Sequence, residues 1–176
     1  VYKGLKETQE CLNSVLQVET EVPFKVTLVL DNLSDAKLAR FINGLEADSR
    51  VSIIRNAENV GFTASVNRAL DRNEGEDVVL LNADTVVPDL WLDRLKRAAF
   101  SAADIGTVTP ISNNGEIVSF PMARERNQIP QGLLLADINR IAAEVNEAKY
   151  VDLPTGIGFC MFIRAEALHA VGRLDS

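Results

Sequence analysis

The sequence predicts an α/β domain built on a mostly parallel sheet with helices on both faces, and three observations carry that expectation. Segments with apolar residues at helical spacing alternate with short β-branched and leucine runs. Those runs are apolar throughout rather than alternating, the pattern of strands covered on both sides. The 176 residues, 47% of them hydrophobic with 10 Gly and 6 Pro, suffice for one domain with one sizeable core.

The first element is a helix in LKETQECLNSVLQ, where Leu5, Leu12, Val15 and Leu16 share a stripe. FKVTLVLDN is a strand ending in turn formers. DAKLARFINGL places Leu38, Phe41, Ile42 and Leu45 at i, i+3, i+4 and i+7 of a helix, and RVSIIRN is the next strand. A helix is expected from Phe62, a buried strand in DVVLLNAD, and a helix in PDLWLDRLKRAAFS whose first position is Pro88. IGTVTPIS reads as a strand. Ser112 to Leu133 has no dominant period and holds Gly115, Pro121, Pro130 and Gly132, so it is a long irregular loop. LLADINRIAAEVNEA is a helix with Ile138, Ile141, Ala142 and Val145 on one stripe, and GFCMFIRAEALHAVG runs from a strand into a short helix. A sheet of this kind opens on a strand, whereas VYKGL offers only the close of one, and AVGRLDS has no closing element; the chain is expected to be a segment of a longer polypeptide.

Lys plus Arg total 18 against 25 Asp plus Glu, and a net charge of -7 repels polyphosphate backbones, so nucleic acid is excluded as a partner. No stretch reaches the roughly 18 to 20 uncharged apolar residues of a membrane helix, and VYKGLKETQE is too charged for a signal peptide. The expected location is cytoplasmic, with any membrane association left to the rest of the polypeptide. Cys11 and Cys160 lie in apolar contexts and read as buried small hydrophobes rather than a disulfide or metal pair. His169 has no accompanying nucleophile, and Trp91, beside Leu92 and Leu95, belongs with the core. Arg124 and Arg126 either lie in a solvated loop or meet a phosphate.

Ligands of open α/β sheets bind outside the carboxyl ends of the strands. Here those ends are small and polar: Asp31-Asn32-Leu33-Ser34-Asp35, Asn56 to Phe62, and Asn82-Ala83-Asp84. Asp35 suits an N-cap for the helix after it, while Asp31 lies too early to cap that helix. Gly61 suits a turn or a close approach. Asp84 ends a central strand, where a partly desolvated carboxylate needs a cation or donors, and Mg²⁺ or Mn²⁺ held by one carboxylate plus substrate phosphates meets that need. Asn82 is then a neutral hydrogen-bonding neighbour and Ala83 leaves room for substrate.

In this order, VYKGLKETQECLNSVL, LVLDNLSD, RNAENVGFTASVNRAL, VVLLNADTVVPDLWLDRL, TVTPISNN and LPTGIGFCMFIRAEALHAVGRLD resemble the inverting GT-A glycosyltransferases of family 2 over nearly the whole chain. The resemblance implies one GT-A domain over 1–176, partial, with a Rossmann-like sheet, a nucleotide-sugar-binding part over about 1–112 and an acceptor-side part over about 113–176. It implies a nucleotide-diphospho-sugar donor, a saccharide or other hydroxyl acceptor, Mn²⁺ or Mg²⁺, inversion, and a setting such as polysaccharide biosynthesis. Tyr2 resembles the aromatic bordering the base, and Asp31 the acid that contacts base or ribose. Asn59, Gly61, Phe62 and Asn67 fall on the nucleotide-side segment, with Asn67 alternatively a helix-surface amide. Asn82 and Asp84 match the DxD-type motif with Asp84 as metal ligand, and Thr155, Gly156 and Gly158 resemble the acceptor-side segment.

Two departures qualify the match. Asn82 replaces the first acid, so metal affinity without nucleotide should be weak. The family's catalytic base lies in an acidic motif expected beyond Ser176, and Asp175 matches the segment before it. The rival readings are a non-catalytic nucleotide-binding or scaffold module and a pyrophosphorylase-like nucleotidyltransferase. The second normally shows a Gly-rich phosphate loop that VYKGLKETQE lacks, and no GxGxxG supports a dinucleotide site.

Overall fold

The structure, a computed structural model, describes residues 1, 4–146 and 149–175; Tyr2 therefore lies outside the described residues. The order is α1 (Leu5–Gln17), β1 (Val26–Asp31), α2 (Ala36–Gly44), β2 (Val51–Asn56), α3 (Gly61–Arg72), β3 (Val78–Leu81), α4 (Trp91–Ala99), β4 (Thr107–Val108), α5 (Leu135–Asn146), β5 (Cys160–Ile163) and α6 (Ala165–Val171). The predicted alternation is met in full.

β1 and β2 pair in parallel from Val26↔Val51 to Asp31↔Asn56, so the polar ends of the two strands stand side by side. The other strands depart from the parallel expectation: β5 lies between β3 and β4 and runs antiparallel to both. The fold is mixed α/β. Continuous apolar strands report burial on both faces, and that property does not encode strand direction.

Two apolar clusters hold the layers. Leu28 and Leu30 of β1 pack with Leu12 of α1 and with Leu38 and Ile42 of α2, the last two fully inaccessible. Burying each of those two side chains contributes about 1.5–3 kcal/mol. Cys160 and Phe162 of β5 pack with Leu92, Leu95 and Ala99 of α4, and Trp91 joins this cluster as its surroundings predicted. Both cysteines are buried and free. Burial pushes the Cys11 thiol up to about 11 and the Cys160 thiol up to about 12. One backbone and one side-chain hydrogen bond join the segment after α1 to the approach to α4: Leu90 N–H donates to Glu19 O at 2.8 Å, and Glu19 N–H to the Asp89 carboxylate Oδ1 at 3.0 Å.

Asp35 caps α2 as expected, accepting from Lys37 N at 2.8 Å and Leu38 N at 3.0 Å. α4 begins later than predicted, at Trp91, because Leu90 takes a left-handed φ of 59° and ends the turn that Pro88 opens. The region from Ser112 is irregular as expected, with a short 3-10 turn at Glu116–Val118. α5 has the predicted stripe yet buries no residue; Ile141 and Val145 are exposed.

Candidate functional site at the strand ends

Asp31 closes β1 with its carboxylate turned into the protein, 9% exposed. Oδ1 accepts from Asn56 Nδ2 at 2.9 Å and Val60 N at 2.9 Å, and Oδ2 accepts from Gly61 N at 3.0 Å. Val60 and Gly61 open α3, so Asp31 caps a helix remote in sequence and places negative charge at its N-terminus. Burial alone would raise the Asp31 pKa; hydrogen bonds from Val60, Asn56, Gly61 and Ser65 outweigh it and hold the carboxyl below its ordinary value. Asn56 Nδ2 also donates to Ser65 Oγ at 3.0 Å, and Arg68 donates to Asn56 Oδ1. Asn56 stood among the polar strand ends of the sequence, whereas Ser65 and Arg68 on α3, which complete its hydrogen-bond network, were not singled out. The polar Asn56 at a strand end, opposite Asp31 in register, was the available signal.

The turn this network holds is Asn59 to Gly61. Gly61 has φ 82°, a conformation that costs any other residue, and its N–H also meets Asn59 Oδ1 at 3.0 Å. Asn59 is exposed, as is Phe62 at 60%. Asn67 sits one face away and is committed elsewhere: its Nδ2 donates to Leu174 O at 2.9 Å and its Oδ1 accepts from Leu174 N at 3.0 Å. An Arg173–Asp71 ion pair ties the same segment to α3. Asn67 thus positions the Gly172–Asp175 stretch against the helix that forms the rim.

Asn82 follows β3, its N–H donating to Phe159 O at 2.8 Å, and Thr85 N–H closes a turn on Asn82 O at 3.1 Å. Ala83 and Asp84 form the turn. Contrary to the expectation of partial desolvation, Asp84 is exposed, because the strand ends at Leu81 and the turn lifts the acid clear of the sheet. Its carboxylate makes no hydrogen bond or ion pair among the described residues, and neither does the side chain of Asn82. No cluster of three or more His, Cys, Asp or Glu exists among the described residues. An oxygen-seeking ion here would therefore take one protein carboxylate and find its other ligands in substrate and water, which is how Mg²⁺-type ions are commonly held.

The Phe159 contact also brings the loop before β5 beside Asn82. Thr155 is exposed there, and Ile157 N–H is tied to Thr109 Oγ1 at 3.1 Å. A Cβ on Gly156 would stand 2.7 Å from Met161 Cε, so a larger residue there would have to displace the end of that flexible side chain. Asp31, Phe62, Asn82 and Gly158 border one cavity of about 830 Å³ that continues between β1 and β3. The ends of β1 and β3, the start of α3 and the loop before β5 thus share one rim. Arg124 is exposed, its backbone N–H bonded to Glu116 O at 2.7 Å.

A family model described as glycosyl transferase family 2 matches residues 1–172. The chain belongs to glycosyl transferase family 2. Two solved structures share the fold of this family 2 chain. One is the mannosyltransferase PcManGT from Pyrobaculum calidifontis in complex with GDP-Man and Mn²⁺, 20% identical with a TM-score of 0.65, over 99% of this chain and 45% of that one. The other is GalNAc-T7 with UDP, GalNAc and Mn²⁺, 13% identical with a TM-score of 0.59, over 98% of this chain and 35% of that one. The family 2 chain spans less than half the length of either. No curated protein matches it.

Proposed function

We propose that this family 2 chain forms the donor side of a glycosyltransferase that uses a nucleotide-diphospho-sugar and a divalent ion and transfers the sugar, with inversion, to an acceptor hydroxyl. The observation that carries the reading is the exposed, uncompensated Asp84 in the turn after β3, next to Ala83, which with Asn82, Asp31 and Phe62 borders the cavity. Asp84 would hold the ion, Mn²⁺ or Mg²⁺, which when bound offsets the charge developing on the departing nucleoside diphosphate. That the two similar structures carry Mn²⁺ with nucleotides supports the choice of ion class.

The remaining roles belong to this chain's own groups. The capped turn Asn59 to Gly61 presents Phe62 and the Asn59 side chain to the nucleotide, and Asn82 offers an amide to ribose or water. Tyr2 borders the base in the same reading. Thr155, Gly156 and Gly158 line the approach of the acceptor. In the transfer a bond forms between acceptor oxygen and anomeric carbon while the bond from that carbon to the diphosphate oxygen breaks; the hydroxyl proton goes to a carboxylate base. Holding both substrates in line supplies a large part of the acceleration. No helix among the described residues is long and apolar enough to cross a membrane; a cytoplasmic setting belongs to the same proposal.

Incubation with radiolabelled GDP- and UDP-sugars and an acceptor panel tests the reading, in this chain and in any longer polypeptide that contains it. Metal-dependent transfer in either supports it. Nucleotide retention without transfer in both makes the domain a binding module.

A further inference from the structure

Asp84 stands exposed with no hydrogen-bond partner among the described residues, so the backbone on either side of it sets where its carboxylate lies. That backbone is fastened at two points, and α1 supplies a side chain at each. Upstream, Asn82 is held through both of its main-chain groups: its N–H donates to Phe159 O at 2.8 Å, and its carbonyl accepts from the Cys11 thiol at 3.5 Å and from Thr85 N at 3.1 Å. The Thr85 N–H also faces the Cys11 sulfur. Downstream, Val87 N–H donates to Ser14 Oγ at 3.1 Å. Val87 is itself buried, and Pro88 after it restricts its backbone.

Cys11 and Ser14 lie one turn apart on the same face of α1. The Ser14 hydroxyl hydrogen goes back to Cys11 O at 2.7 Å, and that commitment leaves the oxygen lone pairs free to accept from Val87. The hydroxyl is therefore a bridge of fixed direction between helix and loop. Alanine in its place would keep the helix, because alanine is the better helix former, and would take the acceptor from a part-buried Val87 N–H. The stretch that then gains freedom is Ala83 to Val86, which carries Asp84. A single carboxylate whose ion finds its other ligands in substrate and water depends on being placed in advance, since every degree of freedom frozen on binding subtracts from affinity.

We propose that Ser14 is a positioning residue for Asp84: it locks the loop after β3 onto α1, with Cys11 as the second fastening, and so presets the acid for a metal-bound nucleoside diphosphate. The inference rests on the donor reading proposed above and adds to it a residue that acts through the loop rather than on the ligand.

The test is calorimetric titration with GDP and with UDP, each with Mn²⁺ and with EDTA, in the parent chain, Ser14→Ala, Ser14→Thr and Asp84→Ala, with amide hydrogen exchange read by NMR at Val87. Ser14→Ala is expected to weaken nucleotide binding with Mn²⁺ about tenfold, to leave binding in EDTA within about twofold, and to speed exchange at Val87. Ser14→Thr keeps the hydroxyl and is expected to restore both the affinity and the protection of the parent. A loss with Mn²⁺ in Asp84→Ala but none in Ser14→Ala overturns this inference and leaves the donor reading standing. Equal losses with Mn²⁺ and with EDTA in Ser14→Ala overturn it too, because a merely weakened helix affects both alike. Nucleotide binding by the parent that ignores the metal overturns the donor reading and the inference with it.

Discussion

Replacing Asp31 by Ala separates a structural acid from a nucleotide ligand. Its carboxylate accepts two backbone N–H groups that open α3 and one amide N–H from Asn56, while only 9% exposed. A hydrogen bond to a charged group contributes about 1.5–3 kcal/mol, and a buried donor left unsatisfied costs about 1–3 kcal/mol. Water reaching the widened turn recovers part of that loss, so Asp31→Ala should cost about 3–5 kcal/mol. That is a large share of the roughly 5–15 kcal/mol typical of a domain. Urea unfolding followed by circular dichroism measures it at constant m. The pH dependence has a definite sign. The folded-state pKa of Asp31 is depressed, so its contribution is complete above the unfolded value of about 3.9 and is lost as pH falls through the folded value. The gap between parent and Asp31→Asn should therefore be full at pH 6 and shrink below about pH 4. A loss under about 1 kcal/mol for Asp31→Ala, or a gap that does not shrink in acid, refutes the capping role.

Three further outcomes follow from the same contacts. Gly61→Ala, at φ 82° with open space around the added Cβ, should cost about 1–2 kcal/mol from backbone strain alone, measured by thermal unfolding. Asn67→Ala should free Leu174, speeding amide exchange there and costing about 1–3 kcal/mol, while nucleoside diphosphate affinity stays within about twofold, read by calorimetry. Cys11 and Cys160, with thiols pushed up to about 11 and about 12, should both resist DTNB at pH 8 and react once the chain is unfolded in urea.

Periodicity together with turn residues and Pro88 located every α-helix and strand, α5 included although none of its residues is buried. It did not reveal that β5 inserts antiparallel between β3 and β4, since pairing direction depends on contacts far apart in sequence. The start of α4 slipped because Pro88 suits a first helical turn, whereas Leu90, left-handed and bonded through its N–H to Glu19 O, delays the helix. At the site, motif order placed Asp31, Asn82 and Asp84 at strand ends; Asp31 does close β1, while β3 stops at Leu81 and Asn82 and Asp84 lie in the turn after it. Motif order did not show that Asp31 faces inward and caps α3, because its partners Val60 and Gly61 lie about thirty residues on. Nor did it show Asn67 spent on Leu174, more than a hundred residues away. Asp84 was expected to be partly desolvated, and the turn through Ala83 exposes it.

The most direct measurement is calorimetric titration of the chain with GDP and with UDP, each with Mn²⁺ and with EDTA, in the parent and in Asp84→Ala. At least one nucleotide should bind the parent tenfold or more tighter with Mn²⁺ than with EDTA, and Asp84→Ala should lose that difference while unfolding at the same urea concentration. Equal metal dependence in parent and variant would contradict the assignment of the ion to Asp84.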